Sequence, residues 1–533
     1  MNKKEIPLDL KSLSLQNFES LRGEIPNEFF KIEFYNQISF IIFEHLNISF
    51  KKCEELLMSK NQNKFDNLIA LFYHHINALL CSYLFSISEL NIINKKNAKG
   101  LFSNQQKEWS ISYSQINSNK YNLPTTKRLL KENVKRFFDL LNNPKYKLKD
   151  SKVFLHPGCS SESIKIVNFL NKKNITISNN IKVFSNKVNI KLVDEQLLIL
   201  KNEISHICNK FNSKDSKIVL SLEIIIYNII SKKIKKHVSS KQGPKYKFKF
   251  AVLDSLGDLE SRKIAMQCRS QNIPVMSLAH GESRIMDEPL FGPVELTYCN
   301  YYISYGTKSC SSLKNGKYTK SLFDDELKII PSSSNQVFNL FKKNTINKIK
   351  NINSKKVMYV PTSFSGNARY GPFRDIHDIA YLYWQRELIK LIQSNLNPKK
   401  ISIKYHLKSK FNFYLDMLGL EVIKQGNFLD YINKWDLFIF DFPGSAFSLA
   451  LATDKPVIYF DVGFRNLTKD ALIAIKERCI YVKLNPSKPN FNIKFFRNEL
   501  LDQKINNFTE SFCLGGLDKN REETISQSIY KYL

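Results

Sequence analysis

The stretch Trp435–Asp461 reads WDLFIFDFPGSAFSLALATDKPVIYFD, two short apolar runs separated by the breakers Asp-Phe-Pro-Gly-Ser and by the segment SAFSLALA. LFIF and PVIYF have the length and the β-branched, aromatic content of strands buried on both faces, and SAFSLALA has the composition of a short helix. The reading is strand Leu437–Phe440, turn Asp441–Gly444, a helix starting at Ser445, then a second strand. Such a unit belongs to a parallel sheet. The turn leaving its first strand opens at the carboxyl edge, and the first N–H groups of the helix point into a crevice where an anion can sit.

Working outward, the same rhythm fills the region before it. KKVMYVPTSF is a strand into a turn, Asp378 to Ser394 a helix, ISIKYHLKS an alternating strand, and YLDMLGLEVI leads on to NFLDYINKWD. A polar, Asn- and Lys-rich passage from about Pro331 to Lys355 reads as a linker. Before it lies another alternating block. KVFLHPG is a strand and turn, SSESIKIVNFL a helix and IKVFSNKVNIKLV an extended stretch, followed by helices over Val193–Phe211 and Ile218–Ile234. Strand Phe248–Leu253, helix Glu260–Ser270 and strand Val275–Leu278 then form a βαβ unit whose strands release Asp254 and His280 at their carboxyl ends. Residues 1–149 show apolar spacing at three and four, as in FYNQISFIIFEHLNISFKKCEELL, and read as helical. The expected organisation is a helical region over 1–149, Rossmann-like α/β domains over 150–330 and 331–505 facing across a cleft, and a helical tail over 506–533.

The 533 residues carry 80 Lys and Arg against 49 Asp and Glu, a net charge of +31, with 43% hydrophobic residues. That composition is globular, not disordered. The lysines are scattered among abundant Asn and Ile, a pattern that biased base composition produces, although such a charge also favours polyanions. Nine cysteines without a Cys-x-x-Cys pair or zinc spacing point to a reducing, cytoplasmic setting without a structural metal. The start, MNKKEIPLDLKSL, has no apolar run behind its charges, which argues against a signal peptide. Leu68–Ser86 is membrane-like but interrupted by His74, His75 and Asn77, so it reads as a buried helix. The adjacent His74 and His75 point about 100° apart on a helix and serve packing better than shared ligation.

Three loops of the second half converge if its strands are parallel: Pro361-Thr362, His406 to Lys408, and Asp441 to Ser445. Thr362 and Ser445 offer hydroxyls, His406 and Lys408 offer cationic donors, and Gly444 admits close backbone approach, which outlines a phosphate or diphosphate site. Alone, Gly-Ser before a helix is an ordinary cap and a strand-ending His an ordinary surface residue. Their convergence is what points to a ligand.

YVPTSF, IKYHLKS and FLDYINKWDLFIFDFPGSAFSLALATDKPVIYF, with PVMSLAHGES upstream, resemble the motif series of bacterial surface-polymer transferases. That group includes the CDP-glycerol glycerophosphotransferases, the capsule Kdo transferases and related GT-B glycosyltransferases. The resemblance covers roughly Phe248 to Asp461. It implies that Thr362, His406 and the turn Asp441 to Ser445 bind the nucleotide of an activated sugar, and that His280-Gly281 is the motif of the first half. This sequence departs from the pattern in three places: Leu407 follows His406 where the group has Pro, Pro443-Gly444 stands for a Ser-Ser pair, and no Arg directly follows Thr362. Arg369 and Arg374 lie near as further phosphate contacts.

For transfer from a nucleotide-activated sugar, His280 is the candidate base with Glu282 beside it, while His406, Lys408 and the helix start at Ser445 take the charge of the leaving phosphate. No cofactor or metal is expected, since there is no Asp-x-Asp triplet. The expected partners are a CMP-, CDP- or UDP-linked sugar donor, a glycan or lipid-linked acceptor, and peripheral contact with an anionic inner membrane. Nucleic acid is not expected, because aromatic residues interleaved with Arg are not evident. Two rivals remain open: a sugar-nucleotide epimerase of the same architecture, and a non-catalytic polyanion-binding protein.

Overall fold

The computed structural model describes residues 5–7, 24–96, 98–101, 153–156, 177–178, 190–211, 216–237, 245–253, 255–257, 259–279, 281, 295–315, 327–344, 356–364, 376–396, 398, 400–404, 420–486, 507–516 and 521–530. The chain opens with strand β1 (Glu5–Pro7), helices α1 (Ile32–Ser59) and α2 (Leu68–Lys95), and strand β2 (Lys99–Leu101). The first half follows with β3 (Val153–Leu155), β4 (Ile177–Ser178), α3 (Ile190–Lys210), α4 (Ser216–His237), β5 (Phe250–Leu253), α5 (Leu259–Ser270), β6 (Val275–Leu278), β7 (Tyr301–Tyr305), α6 (Thr307–Asn315) and β8 (Lys328–Ser332). The second half holds α7 (Asn335–Asn344), β9 (Lys356–Val360), α8 (Asp378–Leu396), β10 (Lys400–Lys404), β11 (Glu421–Ile423), β12 (Leu437–Phe440), α9 (Ser445–Leu451), β13 (Val457–Asp461), α10 (Lys469–Arg478) and β14 (Ile480–Lys483). A π-helical turn, Thr509–Cys513, and helix α11 (Arg521–Tyr530) close the chain.

Each half is built on a six-stranded sheet, ordered β4-β3-β5-β6-β7-β8 in the first and β11-β10-β9-β12-β13-β14 in the second. Every pairing is parallel. The second order is 3-2-1-4-5-6 in units of that half, the doubly wound order of dinucleotide-binding sheets. Continuous apolar strands such as Leu437–Phe440, buried at all four positions, follow from helices covering both faces. Two parallel α/β halves behind a helical N-terminal region make the GT-B-like fold that the sequence led us to expect.

Three details differ from the sequence reading. Among its described residues the N-terminal region is helical except for β1 and β2, which pair in parallel from Glu5↔Lys99 to Pro7↔Leu101; strands of three residues carry too little periodicity to be legible. The extended reading of IKVFSNKVNIKLV fails from Ile190 onward. There α3 begins, and Val193, Leu197, Leu200 and Ile204 form one buried helical stripe. The passage from Pro331 to Lys355 is not simply a linker, because Pro331 and Ser332 finish strand β8 beside Ser304 and Tyr305, and residues 335–344 form α7. Its polar residues mislead because they are buried: Ser334 N–H donates to the Cys513 carbonyl at 3.0 Å, and Gly515 N–H donates to Ser333 Oγ at 3.0 Å. Gly306, at φ +75°, sits under the same C-terminal segment, where a Cβ would fall 2.3 Å from the Phe512 carbonyl carbon.

The N-terminal helices touch both halves. α1 and α2 share an apolar core with α3, α4 and Met266 of α5, while Ile25, Phe29 and Ile32 join the core of the second half around α8. Glu203 of α3 ties to α1 through His45 Nδ1 and Lys52 Nζ, each at 2.7 Å. Burial works to raise this carboxyl, but the hydrogen bonds from His45 and Lys52 outweigh it and hold it below its ordinary value. By length and composition α2 could cross a bilayer, yet its apolar residues pack inside this core. At the other end, Ile525 and Ile529 of α11 cover the first sheet. The eight cysteines among the described residues are all buried.

Candidate functional site

In the second sheet the chain winds from β9 outward to β11 and then returns to lay β12 on the other side of β9. The loops leaving β9 and β12 therefore diverge, and the crevice between them is where doubly wound sheets bind ligands. These loops begin at Pro361-Thr362 and at Asp441, two of the three that the sequence singled out.

They are locked together from below. Tyr359, on the face of β9 that joins the α8 core, donates its hydroxyl to Asp441 Oδ2 at 2.6 Å, and Tyr381 of α8 donates to the same oxygen at 2.8 Å. Thr362 N–H in turn donates to the Tyr381 hydroxyl at 3.0 Å. Asp441 is fully buried. Its carboxylate thus braces the two loops from inside and is not exposed to the crevice.

Burial pushes the Asp441 carboxyl up to about 6, with the two tyrosine hydroxyls pulling the other way. The folded protein therefore binds this proton more tightly than the unfolded chain, whose Asp titrates near 3.9. Stability contributed here is greatest below about pH 4 and falls as pH rises toward about 6, by roughly 3 kcal/mol in all. Asp441→Asn, neutral throughout, should remove that slope. Urea denaturation of both proteins between pH 4 and 7 checks it, and parallel curves would rule it out.

Helix α9 begins at Ser445, as the sequence indicates, with Gly444 as N-cap at φ −90°. Gly444 N–H donates to the Phe442 carbonyl at 3.0 Å, and the Gly444 carbonyl accepts from Phe447 N–H at 3.0 Å. A Cβ at Gly444 would lie 3.3 Å from the Phe442 ring, so the turn is tight around this residue. Ser445 is exposed. The far end of α9 is anchored by Arg478 of α10, whose Nε donates to the Leu451 carbonyl at 2.9 Å. Its Nη2 donates to the carbonyls of Thr453 at 2.6 Å and Lys455 at 2.9 Å.

Across the cleft, Gly281 ends the turn after β6 at φ +154°, and a Cβ there would come 2.9 Å from Ser445 Oγ. The carboxyl edges of the two sheets therefore face each other, and Gly281 meets the start of α9. Thr362 is half-buried at the crevice mouth. His280, Glu282, His406, Lys408, Arg369 and Arg374 lie outside the described residues. Sequence reasoning missed Tyr359, Tyr381 and Arg478. The available signal for the first was a tyrosine one place before the end of an otherwise apolar strand.

No family model matches the chain, and no curated protein matches it. Among solved structures it is similar to one assigned as a UDP-N-acetylglucosamine 2-epimerase from Listeria monocytogenes, at 12% identity and a TM-score of 0.38, over 72% of this chain and 95% of that one. It is also similar to a glycosyltransferase from Rickettsia africae, at 9% identity and a TM-score of 0.33, over 74% of this chain and 91% of that one.

Proposed function

We propose that the chain is a metal-independent glycosyltransferase, or a related polyol-phosphate transferase, that uses a nucleotide-activated sugar to build a bacterial surface polysaccharide at the cytoplasmic side of the membrane. The observation that carries this reading is the meeting of Gly281, the residue after His280 in sequence, with Ser445, which starts a helix at the switch point of the opposite sheet. A donor phosphate has the backbone N–H groups of the Asp441–Ser445 turn beside it, with Thr362, His406, Lys408, Arg369 and Arg374 as side-chain contacts. An acceptor hydroxyl enters from the first half, where His280, oriented by Glu282, takes its proton. The buried carboxylate of Asp441 acts on the donor only by holding the two loops.

An epimerase on the same two-halved plan would also bind a nucleotide diphosphate in this cleft. Nucleotide release separates the two. Thermal-shift screening with CMP, CDP, UDP and GDP identifies the base, since a ligand of the folded state stabilises it. The matching sugar nucleotide is then incubated with and without glycan acceptors. Acceptor-dependent release supports transfer, whereas interconversion of sugar epimers without an acceptor removes the transferase reading.

A further inference from the structure

We propose a second ligand site, a cationic pocket on one face of the second sheet near its β11 edge that holds a negatively charged sugar unit of an acidic glycan. It is distinct from the crevice, because it starts at Lys356 and Lys400, the first residues of β9 and β10, whereas the crevice lies at the carboxyl ends of β9 and β12. The inference therefore stands independently of the transferase reading.

Strand β10 makes the pocket by breaking the apolar pattern on one face. Ile401 and Ile403 join the core around α8, while Lys400, Ser402 and Lys404 alternate onto the opposite side. Beside them the segment Tyr431–Trp435 closes a cavity of about 380 Å³, the size of a small saccharide site. Lys356, Lys400, Lys424 and Lys434 line it against one carboxylate, Glu421. That carboxylate is already engaged, by Lys400 Nζ at 2.9 Å and by the Ser402 hydroxyl at 2.5 Å. A concave surface with such an excess of one sign attracts an opposite charge.

The walls are built, not incidental. Buried Lys404 donates to the carbonyls of Ile423 at 3.4 Å and Gln425 at 3.2 Å, which fixes the rim. Lys356 N–H is held by Asp436 Oδ2 at 2.8 Å. Cations also lie over the rings: Lys404 and Lys434 over Tyr431 at 5.5 and 5.0 Å, and Lys400 over Trp435 at 5.7 Å. With these faces taken, a nucleobase lacks the open platform that stacking needs. Ring edges and the aliphatic stems of the lysines remain, and these suit the C–H surface of a pyranose whose charge meets the ammonium groups.

The test is equilibrium binding to the full chain, followed by calorimetry, with digalacturonate and a heparin disaccharide as anionic probes, cellobiose as neutral control, and phosphate and UMP as competitors. At least one anionic probe should bind, more weakly as salt rises, while cellobiose should not. Lys356 and Lys434 are both exposed, so Lys356→Glu/Lys434→Glu should fold normally by circular dichroism and bind at least about ten-fold more weakly. Lys356→Gln/Lys434→Gln should fall between. No binding by either anionic probe, equal binding of cellobiose, full affinity in the double variant, or displacement by phosphate or UMP beyond that caused by chloride at equal ionic strength would each overturn the proposal.

Discussion

Replacing His280 with alanine is expected to lower turnover by roughly 10²- to 10⁴-fold while nucleotide affinity stays nearly unchanged. Its neighbour Gly281 approaches Ser445 at the seam of the two halves, where the proposed function brings an acceptor from one side to a donor on the other. A general base acts on a proton that moves only in the transition state, so losing it costs rate and leaves ground-state binding intact. His406 should behave in the opposite way. In sequence it follows β10 of the second half by two residues, and as the proposed phosphate contact it should cost about 1 to 3 kcal/mol of nucleotide binding when replaced. Steady-state kinetics with the identified donor, beside calorimetry with the free nucleotide, separates the two. Full activity in His280→Ala, or loss of nucleotide affinity alone in both variants, would return His280 to the role of a turn residue.

Arg478→Leu should destabilise the fold by about 3 to 5 kcal/mol, read as a lowered urea midpoint with unchanged slope. The guanidinium is fully buried, and burial lowers it to about 10, so at neutral pH it remains charged. Three carbonyls depend on it: Leu451 at the end of α9, and Thr453 and Lys455 in the loop to β13. Leucine fills much of the space but donates nothing, so those carbonyls would lose these charge-assisted hydrogen bonds. Lysine can serve one of them at a time and should fall between. The functional consequence is positional, since α9 has only seven residues and its start is the proposed donor contact. A leucine variant within about 1 kcal/mol of the parent would show that α9 holds its place without this anchor.

The second half was the most legible part of the chain. Leu437–Phe440, the start of α9 at Ser445 and the strand through Asp461 could be read directly, because apolar runs interrupted by Asp-Phe-Pro-Gly allow few local alternatives. Val275–Leu278 and the helix before it were legible for the same reason. Asp441 shows where local pattern stops. Its position in the turn pointed to a ligand, whereas tertiary structure brings Tyr359 and Tyr381 onto its carboxylate from 82 and 60 residues away. The polar run Ser332–Asn335 read as exposed linker until the C-terminal segment, nearly 180 residues later, supplied its hydrogen-bond partners. Sequence by itself therefore determined the strands and helices with a clear apolar period, and the turn that opens the crevice, since these follow from the pattern of side chains along one segment. Which polar groups face that crevice and which are buried beneath it was decided only by the tertiary structure, because a buried polar group is tolerable only where a distant residue completes its hydrogen bonds.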